Sequence, residues 1–257
     1  MQLRMTLESD EPSFVLPLHY NHMIQSALYK LLDPGFATFL HEEGYVHGNR
    51  RFKLFTFSQL QGEYRLLRDE KKIRFFNPVS LTVCSPIPAF CEGVMNAIVD
   101  EKGISLGQAR LRVTHIECQQ PQVEDQTIIV NTLSPITVYS TLLRPDGRKY
   151  TLYFHPSEKD FAKQVQENIL KKFQLVYQEA PTSPRFDMEA VGRVKQRTIL
   201  YKGFIIKGYM GKFKVSADDR RLLALALDAS VGAKGSQGFG CIEQVDQSLN
   251  GGEKDAG

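Results

Sequence analysis

The chain has 257 residues, room for one large domain or two of medium size, and its 42% hydrophobic and 24% charged content is that of a globular protein rather than a disordered or fibrous one. No run approaches the roughly 20 apolar residues needed to cross a bilayer, and the start MQLRMTLESD has no apolar stretch like that of a signal peptide, so a cytoplasmic protein with no membrane partner is expected. The net charge of +3 does not by itself announce a polyanionic partner, and the four cysteines, Cys84, Cys91, Cys118 and Cys241, stand at no zinc-ligand spacing. They are read as small core residues, and neither a metal nor a cofactor is expected.

In chain order, residues 2–7 alternate polar and apolar as a half-buried strand does, and Ile24, Leu28, Leu31 and Leu32 recur at helical spacing over residues 19–32. Asp33-Pro34-Gly35 breaks that helix, and residues 36–40 read as a short second one. Strands follow at residues 53–60, 73–84 and 110–117, with a helix over residues 89–99. The rhythm then repeats. Residues 127–130, 136–142 and 149–154 are strand candidates, and residues 158–177 form the clearest helix, with Phe161, Val165, Ile169, Phe173 and Val176 on one face and Ser157 placed to cap it. Strands are expected at residues 186–194, 202–209 and 211–215, then a helix capped by Ser216, then a last strand at residues 238–245. Strand, helix, strand, strand, helix, strand is the ferredoxin-like unit, so the expected class is α+β with two tandem ferredoxin-like (RRM-like) βαββαβ domains, residues 1–122 and 123–245, divided near the polar run QQPQVEDQ and followed by a disordered tail at residues 246–257.

Charge is uneven along the chain. From Ala190 to Ala217 there is no Asp or Glu, while Arg193, Lys195, Arg197, Lys202, Lys207, Lys212 and Lys214 fall inside that span. Such a stretch suits a polyanion if acidic neighbours do not neutralise it across a sheet. Close behind comes SVGAKGSQGFG, in which Gly232, Gly235, Gly238 and Gly240 allow positive φ and close approach to a ligand backbone, while Lys234 adds a cation and Ser236 a hydroxyl. It lacks the G-K-[ST] of a Walker A loop, and it follows a helix and precedes a strand, the reverse of a Rossmann fingerprint. Of the six histidines, His41 and His47 stand nearest other reactive groups, namely Tyr29, Arg50, Arg51 and Lys53, and are the candidates for proton transfer near neutral pH.

Taken together, LPLHYNHMIQSALYKLL, then FLHEEGY and FKLFTFSQL, and finally GAKGSQGFG resemble, in content and order, the CRISPR-associated endoribonucleases that cut precursor CRISPR RNA within its repeats, the Cas-six family. The resemblance runs from Met1 to about Val245. It implies two ferredoxin-like domains and metal-independent cleavage, in which the ribose 2′-OH attacks the adjacent phosphate to leave a 2′,3′-cyclic phosphate and a 5′-OH. By motif, Tyr29, His41 and Lys53 match the catalytic positions. His47 is the runner-up, because the stretch GYVHGNRR brings it nearer Lys53. RNA binding would use Arg193, Lys195, Arg197, Lys202, Lys207 and Lys212, together with Arg50 and Arg51. The glycine loop, Gly232, Lys234, Gly235, Ser236, Gly238 and Gly240, would hold the RNA backbone. The expected partner is a precursor CRISPR RNA repeat. Other subunits of a CRISPR effector complex, and either a monomer or a homodimer, remain open, as does the alternative of a non-catalytic RNA-binding subunit.

Overall fold

A computed structural model describes residues 1–101 and 103–245; the expected tail at residues 246–257 lies outside them. The first half runs β1 (Gln2–Ser9), β2 (Ser13–Pro17), α1 (Asn21–Lys30), α2 (Pro34–Thr38), a single π-helical turn (Phe39–Glu43), β3 (Tyr45–His47), β4 (Arg50–Phe52), β5 (Thr56–Phe57), β6 (Tyr64–Leu67), β7 (Lys72–Phe76), β8 (Val79–Cys84), α3 (Pro88–Glu101), β9 (Gly103–Leu106) and β10 (Ala109–Gln119). Its main sheet has the antiparallel order β5-β8-β1-β10-β9. With α1 between β1 and β5 and α3 between β8 and β10, this is a ferredoxin-like unit, extended by β9 at its edge. The alternation read at the start of the chain is real: Leu3, Met5 and Leu7 point into one core with Ile24 and Leu28 of α1 and Phe90 and Val94 of α3.

The second half runs β11 (Thr127–Thr132), β12 (Tyr139–Leu143), β13 (Lys149–Tyr153), α4 (Lys159–Tyr177), β14 (Phe186–Tyr201), β15 (Phe204–Ala217), α5 (Arg220–Ala229), a 3-10 turn (Gly235–Gln237) and β16 (Ile242–Gln244). Its sheet has the order β14-β15-β11-β16, the same arrangement again. Phe161, Val165, Ile169 and Phe173 of α4 and Leu222, Leu223 and Leu227 of α5 cover it.

Several local expectations need correction. Ser157 does not cap α4, whose N-cap is Glu158 with no side-chain cap. Ser216 lies inside β15; the cap of α5 is Asp219, which accepts from the Arg221 amide. The three strands expected over residues 186–215 are instead one long hairpin, β14 and β15. Residues 53–60 pair only at Thr56–Phe57, and the segment is buried on both sides rather than alternating. The reason is that it lies in the seam between the halves: Thr56 Oγ1 donates to Phe239 O at 3.0 Å, and the Gln59 amide donates to Leu133 O at 3.0 Å. Cys84 and Cys241 meet there, with their sulfurs 3.8 Å apart. Three of the four cysteines are buried as expected, and Cys118 is exposed. The separate sheet β2-β7-β6 and the small β3-β4 hairpin were not foreseen.

Candidate active site

Helix α1 presents two faces. Ile24, Ala27 and Leu28 are buried in the first core. His22, Gln25, Ser26 and Tyr29, spaced i, i+3, i+4, i+7, line a cleft of about 540 Å³ at the seam. The cleft is completed by His41, Lys53, Tyr201, Lys202, Ser236 and Gln237. No carboxylate lines it. Its walls therefore come from α1, the π turn, the chain after β4, the tip of the β14-β15 hairpin and the glycine loop.

The three side chains matched by motif come together here. The rings of Tyr29 and His41 stand edge to face at 6.1 Å. Lys53 Nζ donates to the His41 carbonyl at 2.9 Å, which ties the ammonium to the π turn in the cleft that His41 also lines. Gly44, at φ +66°, makes this possible, because a Cβ there would lie 3.1 Å from Lys53 Cδ and 2.7 Å from Phe52 O. The His41 side chain is 71% exposed, open to a substrate, and its Nδ1 lies 2.7 Å from Glu42 Oε1. With Nδ1 donating to Glu42, Nε2 is left for the cleft. Burial, and next Tyr201, push the Tyr29 phenol up to about 12, so at neutral pH it is a hydrogen-bond donor and not a base. Burial and then Arg51 lower Lys53 from the ordinary lysine range, opposed by Glu42. His47 does not line this cleft; its Nε2 is 2.6 Å from Gln174 Oε1 of α4, so it is engaged elsewhere.

The glycine loop is held more tightly than its composition suggests. The amides of Val231, Ala233, Gln237, Gly238 and Gly240 all donate to backbone carbonyls. A Cβ at Gly240 would sit 2.0 Å from Val231 O, and one at Gly238 would sit 2.4 Å from the Phe57 ring. These glycines let the loop fold back on itself and close the seam; Lys234 to Gln237 form its half-exposed crest. The crest is tied to α1, since Gln25 Nε2 donates to Ser236 O at 2.6 Å and Asn21 Nδ2 to Gln237 O at 3.0 Å. Tyr201 OH donates to Gln25 Oε1, joining the hairpin tip to the same helix.

Beneath the loop lies Lys172 of α4, 4% exposed. Its Nζ donates to Ala229 O at 2.9 Å, Ser230 O at 2.9 Å and Ser230 Oγ at 2.8 Å. Burial lowers its pKa to about 7. Ser230 sits at φ +73°, ψ 155°, a conformation that favours glycine, and its hydroxyl is one of the acceptors that hold Lys172.

Two family models cover most of this frame. The model described as "CRISPR-associated protein Cas6, N-terminal" matches residues 15–117, and that described as "CRISPR associated protein Cas6, C-terminal" matches residues 118–244. The chain belongs to the Cas6 family. It is similar to "CRISPR-associated endoribonuclease Cas6 1" of Methanocaldococcus jannaschii, 24% identical over 96% of this chain and 93% of that one. It is also similar to "CRISPR-associated endoribonuclease Cas6" of Pyrococcus furiosus, 26% identical over 94% of this chain and 88% of that one. A solved structure described as a Cas6-related gene product from Pyrococcus furiosus superposes with a TM-score of 0.83 at 19% identity, covering 96% of this chain and 99% of that one. One described as an RAMP protein binding different RNA substrates gives 0.81 at 19% identity, covering 96% and 100%. At these identities the two structures establish the fold.

In this Cas6 chain, the long hairpin sorts its cations by face. Lys195 and Arg197 share one face of β14 with Ile199 and Tyr201, paired with Met210, Gly208, Ile206 and Phe204. Lys212 and Lys214 extend that face on β15, and Lys207 points the other way. Arg193 lies where the register slips, between Val191 and Lys195. Lys202 is at the tip and lines the cleft. Among the described residues, none of these seven cations makes an ion pair. One acidic neighbour does stand across the sheet, Glu189 opposite Lys214, while Lys195, Arg197 and Lys212 face Met210, Gly208 and Val191. Sequence reasoning missed His22, Gln25, Ser26, Tyr201 and Lys172. The helical spacing of polar residues on α1 would have found the first three; Tyr201 and Lys172 have no local signal.

Proposed function

We propose that this chain is an endoribonuclease that processes precursor CRISPR RNA, with Tyr29, His41 and Lys53 as its catalytic groups. The observation that carries the reading is their meeting in one cleft without a carboxylate, between a helix face, a glycine-loop crest and an unpaired basic hairpin. RNA presents a phosphate with a neighbouring 2′-OH. In-line attack forms the O2′–P bond and breaks the P–O5′ bond, leaving a 2′,3′-cyclic phosphate and a 5′-OH. The reaction needs one proton taken from O2′, one given to O5′, and charge stabilised on the non-bridging oxygens.

His41, exposed and with Nε2 free, suits the proton transfers, a task worth about 10²–10⁴ in rate. Lys53, fixed by the His41 carbonyl, keeps N–H groups for the non-bridging oxygens. Tyr29, held protonated, donates to the phosphate and orients it. None of these steps calls for a metal ion. Lys195, Arg197, Lys212 and Lys214 supply sequence-independent attraction for the RNA backbone.

The test is to incubate the protein with a repeat RNA and to characterise both new ends. A single cut with a cyclic phosphate and a 5′-OH is expected. Tight binding without a cut would make the protein a non-catalytic RNA-binding subunit instead.

A further inference from the structure

The hairpin β14-β15 outruns its sheet. β11 pairs with β15 only from Lys212 to Ser216, so residues 195–201 and 204–210 form a two-stranded ribbon beyond it. Two strands alone are marginally stable, so the direction of such a ribbon depends on its anchors. Along its length Tyr209 and Ile136 exchange backbone hydrogen bonds of 2.9 Å, and Tyr153 OH donates to Ile205 O at 2.9 Å. Those anchors belong to the second half of the chain. At the tip, Tyr201 OH donates to Gln25 Oε1 of α1, in the first half.

The orientation of the Gln25 carboxamide is fixed by what it meets. Ser236 O can only accept, so Nε2 must face it, at 2.6 Å, and Oε1 is left for Tyr201. Tyr201 must then donate, and its proton is committed to Gln25. One half-buried side chain thus ties together helix α1, the crest of the glycine loop and the hairpin tip. Tyr29 stands one turn further along α1, on the same cleft face. Lys202 follows Tyr201 at the tip, its Nζ 5.9 Å over the Tyr201 ring, and also lines the cleft. Where Tyr201 points therefore decides where that cation stands.

On the reading of this cleft as the cutting site, we propose that Gln25 is a positioning residue for the cleavage step. It acts through its two partners, holding the tip with Tyr201 and Lys202, and the crest with Ser236, against the helix that carries Tyr29. The walls of the cleft, which come from both halves, then meet the RNA backbone in one alignment. A misplacement of about 1 Å in such an arrangement costs as much as about 10²-fold in rate. Only a side chain that donates and accepts at once makes both bonds; Gln25→Met keeps the length and loses the two together. Tyr201→Phe removes one of them and keeps the ring in its cluster with Ile199, Ile206 and Phe239.

The experiment compares the unaltered protein, Gln25→Met, Tyr201→Phe and the double variant in single-turnover cleavage of a repeat RNA at saturating protein, in affinity for the same RNA, and in amide hydrogen exchange without RNA. Gln25→Met should slow the cleavage step by about 10- to 100-fold while its RNA affinity changes by less than about threefold. Its exchange should quicken at the hairpin tip and at the crest amides of Gln237 and Gly238 together, and stay as in the unaltered protein in β1 and β8, which shows the fold intact. Tyr201→Phe should also be slow, and should add little to Gln25→Met, because both remove the same bond. An unchanged rate at saturation, a loss confined to affinity, effects of the two substitutions that multiply in full, or unchanged exchange at tip and crest would each overturn the positioning role. If the unaltered protein binds the RNA without cutting it, the endoribonuclease reading falls. Quickened exchange at both elements in Gln25→Met would then keep Gln25 as the joint between them, and unchanged exchange would remove it as well.

Discussion

Tyr29, His41 and Lys53 are separated by up to 24 residues, and each is placed by a different device: a helix face, a π turn and a backbone carbonyl. His41→Ala should slow single-turnover cleavage by about 10²–10⁴ with little change in RNA affinity. His47→Ala should leave the rate close to that of the unaltered protein, because His47 is turned toward Gln174. The reverse pattern would move the catalytic assignment to His47. Motif order in the sequence named these three residues together, and the fold sets them in one cleft. The turning of His47 toward Gln174 was not legible, since it is a long-range contact with α4. Lys172 was invisible for a related reason, being simply one lysine in an amphipathic helix until the loop closes over it. It makes a prediction of definite sign. In the unfolded chain this amine keeps its proton up to about pH 10.5, and in the folded protein only up to about 7. Between those values unfolding takes up a proton, so this group's contribution to stability rises with pH there and is lost as pH falls through 7. Urea denaturation at pH 7 and pH 9 should show Lys172→Met lacking that share of the rise and destabilised by about 1–3 kcal/mol through the acceptors it strands. An identical pH dependence in both proteins would contradict the assignment.

At the scale of elements, the glycine loop and the basic hairpin differ in what their residues do. The loop's glycines serve closure first, as the 2.0 Å approach at Gly240 requires. Gly240→Ala, at φ +72° and against Val231 O, should cost more than about 2 kcal/mol in urea denaturation. A neutral result would mean that the loop can relax and is not the rigid edge described here. In the proposed function the hairpin's contribution is electrostatic. Lys195, Arg197 and Lys212 changed together to Ala should weaken binding to all RNA sequences and reduce the slope of log affinity against log salt by about 2, as three single-strand phosphate contacts would. Lys207→Ala, on the opposite face, should do less. The charge asymmetry was plain in the sequence. Its division between two faces was not, because residues 186–215 were read as three short strands and face assignment needs the continuous register of β14 with β15.

At the scale of the molecule, two ferredoxin-like units were legible because each buries one alternating strand pattern under two amphipathic helices. What could not be read was the seam. Residues 53–60 look like a half-exposed strand but are buried on both sides by contacts with Phe239 and Leu133, more than 70 residues away. The cleft belongs to that seam, so its chemistry depends on both halves at once. The proposed cleavage there by the RNA's own 2′-OH, with His41 moving the protons, is tested most directly by a repeat RNA carrying a single 2′-deoxy substitution before the mapped cut, assayed in EDTA beside the unmodified RNA. The unmodified RNA should be cut and the substituted one bound but left intact. Cleavage of the substituted RNA, or a requirement for a divalent metal with the unmodified one, would contradict the account.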